Sequence, residues 1–224
     1  MARLTLMMLL SILAAGCSVL PESRAPERTS TARDTRSLPP PIARNPESRM
    51  CLANLSQRKA RFTPLTDAYY ERGCSAVNSV NLTALAADDG ELFVTNLGPV
   101  HCPLASDFAA WAQYGVDRAA RQMLGSRLVQ IETFGSYSCR NVAGSSRHSA
   151  HASAQAIDVA AFVLADGRRI TVKDGWARGG AELRFLQRVQ DSACRRFGTV
   201  LGPDYNAAHR DHFHLEQGGG GFCR

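Results

Sequence analysis

Lysine is almost missing from this chain: of 26 basic residues only Lys59 and Lys173 are not arginine. The bias reads as the mark of a GC-rich genome and not as a functional device. Clustered positive charge is missing too. The formal net charge is +6, of which Arg3 supplies one unit and residues 18–50 supply two (six Arg against four acids), leaving three for the rest. That dilute excess excludes a nucleic-acid footprint, which needs basic residues gathered on one element. No two of the seven cysteines form a Cys-x-x-Cys pair, which removes the usual cysteine zinc cluster. There is also no long hydrophobic run: the longest, Leu4–Ala15, is too short to cross a membrane comfortably as a helix.

That short run has another reading. With Arg3 before it and Leu13-Ala14-Ala15-Gly16-Cys17 after it, it is an export signal over residues 1–16. Small residues directly before a cysteine are what a bacterial lipoprotein signal looks like, with lipid carried on Cys17. Ala14 stands where leucine is commoner, and an ordinary signal peptide cut nearby is the alternative, which would leave the protein secreted. Residues 17–50 then hold six of the ten prolines and almost no large apolar side chains. Such a segment buries too little surface to offset its ordering entropy, so it is expected to be a flexible tether from membrane to domain.

With Cys17 set aside, Cys51, Cys74, Cys102, Cys139, Cys194 and Cys223 remain, an even number in an exported chain. Three disulfides are expected, with about fifteen possible pairings. Cys51 with Cys74 is the preferred local pair.

From residue 51 to 224 the composition is globular and fits one domain. Asp107–Leu124 reads as an amphipathic helix with Phe108, Trp111, Val116, Ala119 and Met123 inward and Gly125 as its C-cap. Leu128–Thr133 and Ala156–Leu164 read as strands, the second turned by Ala165-Asp166-Gly167 into Arg169–Val172. Ala181–Phe197 is a further helix, and Thr199–Leu201 and His212–Glu216 are short strands. Strands and helices mix without regular alternation. The expected class is therefore α+β: a small antiparallel sheet carrying a single-metal site, packed with helices and braced by disulfides. Gly218–Gly221 reads as a flexible run, since no helix follows it.

Five of the six histidines fall in two groups, His148 and His151 in one and His209, His212 and His214 in the other. Two histidines and a carboxylate with one open position form a recurrent catalytic zinc set, which His151, Asp158 and His214 would supply. Alternation along a strand puts His212 and His214 on one side, and Ala156 and Ala160 flank Asp158 with little bulk. A lone histidine is more often structural; two groups with complementary counts argue for one shared zinc ion.

Ser149-x-His151-x-x-Ala154-x-Ala156-x-Asp158 with Asp211-His212-x-His214 resembles the zinc motifs of a peptidase superfamily. That superfamily joins D-alanyl-D-alanine carboxypeptidases, lysostaphin-type endopeptidases and the hedgehog signalling domain. Gly135-Ser136-Tyr137-Ser138-Cys139-Arg140 and Leu201-Gly202-Pro203-Asp204-Tyr205-Asn206-Ala207-Ala208-His209 widen the likeness. In that wider context, residues 51–224 resemble the bacterial extensin-like C-terminal domain family. The resemblance implies His151, Asp158 and His214 as metal ligands. His212 matches the non-ligand histidine that handles a proton. Asp211 stands where carboxypeptidases carry glutamate and is the second choice for that task. Ala154 departs from the glycine usual in carboxypeptidases.

Arg140, beside a cysteine, is a candidate clamp for a substrate carboxylate, and His209 for orienting substrate; either is equally readable as a surface residue. His148 is expected at the rim. The expected function is a periplasmic zinc hydrolase of peptidoglycan peptides, endopeptidase or carboxypeptidase, anchored by lipid to a membrane, the outer one preferred. A non-catalytic wall-binding module with the same fold is the alternative. A purely structural disulfide scaffold leaves the histidines unexplained.

Overall fold

The computed structural model describes residues 46–218 and 221–224. The expected signal, Cys17, residues 17–45 of the expected tether, and Gly219 and Gly220 lie outside the described residues. Helix α1, Pro46–Gln57, already occupies the last five residues of that expected tether. Proline suits the first helical turn, where its missing N–H costs nothing. Ser48, Cys51 and Leu55 then recur at helical spacing and form the buried stripe.

After α1 come β1 (Arg61–Pro64), a two-stranded ribbon of β2 (Ala68–Tyr69) and β3 (Ser75–Ala76), then β4 (Ser79–Ala87), β5 (Gly90–Thr95) and β6 (Pro99–His101). Helix α2 (Cys102–Trp111) runs through a π-helical turn, Ala112–Asp117, into α3 (Arg118–Leu124). β7 (Leu128–Gly135), β8 (Ala156–Leu164) and β9 (Arg169–Thr171) follow, then α4 (Val172–Arg178), α5 (Gly180–Cys194), β10 (Thr199–Leu201), β11 (Phe213–Glu216) and β12 (Phe222–Cys223). The main sheet has ten strands, ordered β1-β4-β5-β7-β8-β11-β10-β12, with β6 beside β4 and β9 beside β8. It is thus large where the sequence suggested a small sheet. It is also mixed, because β5–β7 and β10–β12 pair in parallel.

Helices and sheet bury one core. Trp111, Phe108, Phe162 and Phe185 are fully buried at its centre. Trp111 meets Phe162 edge-on at 6.3 Å, and Phe162 meets Phe185 at 5.5 Å. The indole N–H donates to the Val189 carbonyl of α5 at 3.3 Å, so its polar atom is also satisfied. The predicted helix over 107–124 is present, but Met123 is exposed instead of inward. The π-helical turn explains this: one wide turn slips the helical phase, and Ala119 and Ala120 take the buried face in α3. Gly125 is left-handed at φ 69°, as its C-cap role requires.

Strand β8 shows how a strand can serve two faces. Ile157 and Val159 belong to the core, and so do Phe162 and Leu164, a change of parity. The pairing explains the change: Glu132 faces Ala161 and Thr133 faces Val159, so Ala160 is an extra, bulged residue. A second irregularity, between Thr133 and Gly135, lies opposite Asp158 and Val159. Asp158 sits on the non-core face of β8 immediately beyond the second distortion.

Three disulfides brace the fold: Cys51–Cys102, Cys74–Cys139 and Cys194–Cys223, with Cα separations of 5.9, 5.6 and 5.7 Å. The expected Cys51–Cys74 pair is therefore wrong. Cys51 lies on the buried face of α1, which packs on α2, and Cys102 is the first residue of α2. Cys74, after the β2–β3 ribbon has turned, meets the loop that follows β7. No helix among the described residues is long and apolar enough to cross a membrane.

Candidate metal centre

His214 and Asp158 are direct partners on the antiparallel pair β11–β8. Phe213 and Leu215 point to the core, so alternation sends His214 and Glu216 to the face that carries Asp158. His151 arrives from a 3₁₀ turn, Ala150–Ser153, capped by the Ser149 hydroxyl, which accepts from the His151 N–H. The turn closes on Ala154 in the left-handed conformation, φ 56°. This is the position at which the sequence departs from glycine, and the backbone keeps the shape that glycine would favour.

The three side chains converge. His214 Nδ1 lies 2.8 Å from Asp158 Oδ1, His151 Nε2 lies 3.1 Å from Asp158 Oδ2, and the two ring nitrogens are 3.2 Å apart. All three residues are buried, with 2–8 % of their surface exposed. Each histidine has its other nitrogen occupied. His151 Nδ1 donates to the Ser136 carbonyl at 2.7 Å, and His214 Nε2 donates to Glu216 Oε1 at 2.9 Å. The Ser136 carbonyl fixes a proton on His151 Nδ1 and turns Nε2 toward Asp158, while His214 lies between two carboxylates, so that in the unligated cluster its Nδ1 also donates to Asp158 Oδ1, a proton that a metal would displace. Outer oxygen acceptors that orient ligating imidazoles are a regular part of metal sites. On donor chemistry and on the orientation of both rings, the three residues fit a zinc ion.

The electrostatics of the unligated cluster follow from the same contacts. Burial raises the Asp158 pKa, but hydrogen bonds from His151 and His214 more than reverse this and hold it well below the carboxylate range. Burial lowers His214, while Asp158 and Glu216 outweigh it and push it up to about 9. Glu216 is held down chiefly by its hydrogen bond with His214. A cation is what the buried carboxylate requires, whether a proton on His214 or a metal.

The remaining expected site residues divide. His212 stands just before β11, not within it, because the strand starts at Phe213. Its Nδ1 donates to Asp211 Oδ1 at 2.8 Å, and its Nε2 lies 3.5 Å from Asp158 Oδ1. Asp211, nearly half exposed, therefore meets the cluster through His212 and not directly. His209 stacks against both neighbours, 5.2 Å from the His212 ring and 5.6 Å from that of His214. Burial, then the nearby His212 and His214, lower its pKa to about 4.

Arg140 is exposed and outside the donor group, though its charge helps to depress His209. It lines a cavity of about 210 Å³ with Arg72, Asn141, His148 and the Cys74–Cys139 bridge. His148 belongs to this cavity and not to the metal group: it covers Gly73, where an added Cβ would lie 3.2 Å from its ring. The sixth histidine, His101, is engaged elsewhere with Gln217 at 2.6 Å.

Sequence reasoning named neither Ser136 nor Glu216. Ser136 lies within the quoted Gly135–Arg140 motif and supports the ligand turn in two ways, with Ser138 adding a third contact. Its carbonyl accepts from His151, its hydroxyl donates to the Ala154 carbonyl at 3.3 Å, and nearby Ser138 N–H donates to the His151 carbonyl at 3.0 Å. Glu216 could have been found from its spacing, two residues beyond His214 on the same strand face.

Comparison with known proteins gives one match. The family described as extensin-like protein C-terminus matches residues 49–224. No curated protein and no solved structure matches the chain.

Proposed function

The chain belongs to the extensin-like C-terminal family, and on that premise we propose that it is an exported, zinc-dependent hydrolase of peptidoglycan peptides. The observation that carries the proposal is the convergence of His151 Nε2, Asp158 and His214 Nδ1, each histidine locked by an oxygen acceptor on its far nitrogen. The same three residues are those on which the resemblance to the carboxypeptidase, lysostaphin and hedgehog superfamily rests, and kinship to it is part of the proposal.

A zinc ion held by His151, Asp158 and His214 would supply Lewis-acid polarisation of a peptide carbonyl and would bring the pKa of a bound water to about 7. The protein's own contribution is to move the proton and hold the substrate. His212 offers Nε2 toward the site with Nδ1–H held by Asp211, which is the arrangement of an oriented general base that later returns the proton to the leaving amine. Asp211 orients the His212 ring without meeting substrate. Arg140, next to the Cys74–Cys139 bridge, is the candidate clamp for a terminal carboxylate of a stem peptide. An export signal, a lipid on Cys17 and a periplasmic site at the outer membrane complete the reading. Without lipid the protein would be secreted.

Incubation of the purified protein with cross-linked muropeptides, followed by chromatography, tests the reaction. New amines or released D-amino acids that disappear on chelation support it. A second reading, a wall-binding module without turnover, draws on the exposed aromatics beside the histidines. Phe134 is 56 % exposed and edge-on to His212, and Tyr205 is 42 % exposed against His209. Binding of stem peptides with no product over a range of cross-links would favour that module.

A further inference from the structure

His209 and His212 share a device that a proton-handling role for one of them does not explain. Asn206 Oδ1 accepts the Ala208 backbone N–H at 3.0 Å, which fixes which atom of the amide is oxygen. The same oxygen is 2.8 Å from His209 Nδ1, so that nitrogen must be the donor and Nε2 carries the lone pair. At His212 the Asp211 carboxylate imposes the same tautomer. Each of the four imidazoles thus has one N–H held by an oxygen acceptor, which orients the other nitrogen as a potential donor to a metal. The zinc set already described uses only two of them.

We propose that His209 and His212 form a second, outer position for a divalent transition metal beside the His151–Asp158–His214 set. Donor atoms of His209, His212 and His214 all lie within 4.8 Å of one another, a spread that a metal can gather. Asp158 Oδ1, 3.5 Å from His212 Nε2, can supply a bridging oxygen, since a carboxylate has more lone pairs than one ion uses. Imidazole with carboxylate selects zinc, nickel or copper over calcium or magnesium.

The outer position is the weaker of the two. Its two histidines are half-buried and come from the chain just before β11, one of them in a short 3₁₀ turn, whereas the inner ligands are buried on a strand pair and a braced turn. The inner ion therefore fills first, and the outer one at higher free metal. Metal binding by this pair does not depend on the proposed reaction. Its consequence does: an ion on His212 Nε2 removes the lone pair that would accept a proton, so excess metal would inhibit a hydrolase that uses this base.

Equilibrium dialysis of the full chain against increasing Zn²⁺, with elemental analysis, reads the proposal without any assay of turnover. Two equivalents are expected, the second at higher free zinc. His209→Ala should lose the second and keep the first, and Asn206→Ala should weaken the second by about 10–100-fold, as loss of an outer acceptor does. Saturation at one equivalent, or a second equivalent that survives His209→Ala, overturns the outer site. If His209→Ala removes an equivalent while His151→Ala removes none, the outer site stands and the inner assignment fails. A wild-type protein that takes up no metal overturns both.

Discussion

The inner pair His151–His214 and the outer pair His209–His212 use one hydrogen-bonding device in two different settings. In each ring one nitrogen donates to an oxygen acceptor, and that bond orients the other nitrogen. The inner acceptors are a buried backbone carbonyl, Ser136, and a strand carboxylate, Glu216. The outer acceptors, Asn206 and Asp211, lie on the loop between β10 and β11. The same device thus sits on a rigid support in one case and on a surface loop in the other. On the proposed reading, support, and not ring chemistry, separates a permanent ligand from a group able to exchange protons or take a second ion.

The sharpest way to break this contrast is to remove one outer ring. His212→Ala should leave the inner metal in place while hydrolysis of muropeptides falls by about 10²–10⁴-fold. Equal loss of metal and turnover would mean that the outer ring is a ligand of the inner ion. Asp211→Ala should cost less, because it acts through His212. Asp211→Asn, whose amide oxygen can still hold the Nδ1–H, should recover part of the rate with a shifted pH profile.

The support itself can be loosened next. The Cys74–Cys139 bridge closes a long loop, and such bridges typically contribute about 2–4 kcal/mol. Replacing both cysteines should lower the denaturation midpoint and weaken peptide binding through Arg140 more than metal content. An unchanged midpoint would show that the bridge does not brace this side of the molecule.

Proton occupancy gives a smaller effect with a definite sign. His214 in the metal-free protein is raised to about 9 by Asp158 and Glu216, against the cost of its burial. A raised histidine contributes stability that is full below about pH 6.5 and lost as pH passes about 9. Chelated protein should therefore soften across that interval, and zinc uptake within it should release a proton. A melting temperature independent of pH from 6.5 to 9 would contradict the contacts given for His214.

The smallest expected change is at Ala154. A left-handed alanine costs about 1 kcal/mol, and glycine would relieve it while loosening the unfolded chain, so Ala154→Gly should shift stability little. Ala154→Val, β-branched and fully buried, should destabilise clearly and reduce metal content by moving His151. Equal tolerance of both would mean that the turn is not what sets the ligand.

The site was more legible than the fold, for a physical reason. His212, His214 and Asp158 lie on or beside adjacent strands with period-two spacing, and His151 lies in a short capped turn, so local pattern places them. Strand β8 was read at its observed ends, Ala156 and Leu164, because its apolar run is bounded by turns. The first half of the domain was not legible. β1, β2, β3 and β6 are short, and β4 is partnered by β1, β5 and β6 through contacts that no local period encodes. Disulfide pairing failed likewise: Cys51 finds Cys102 across 51 residues because α1 packs on α2, not because of spacing. Ser136 and Asn206 were visible as parts of motifs, but their use as acceptors depends on where three separate segments meet.

Zinc content after native purification tests the central claim most directly, measured for the wild type and for the His151→Ala and His214→Ala variants at low free metal. The account predicts close to one zinc per chain in the wild type and its loss from each variant, with His209→Ala unaffected. Full zinc in both His151→Ala and His214→Ala would contradict it.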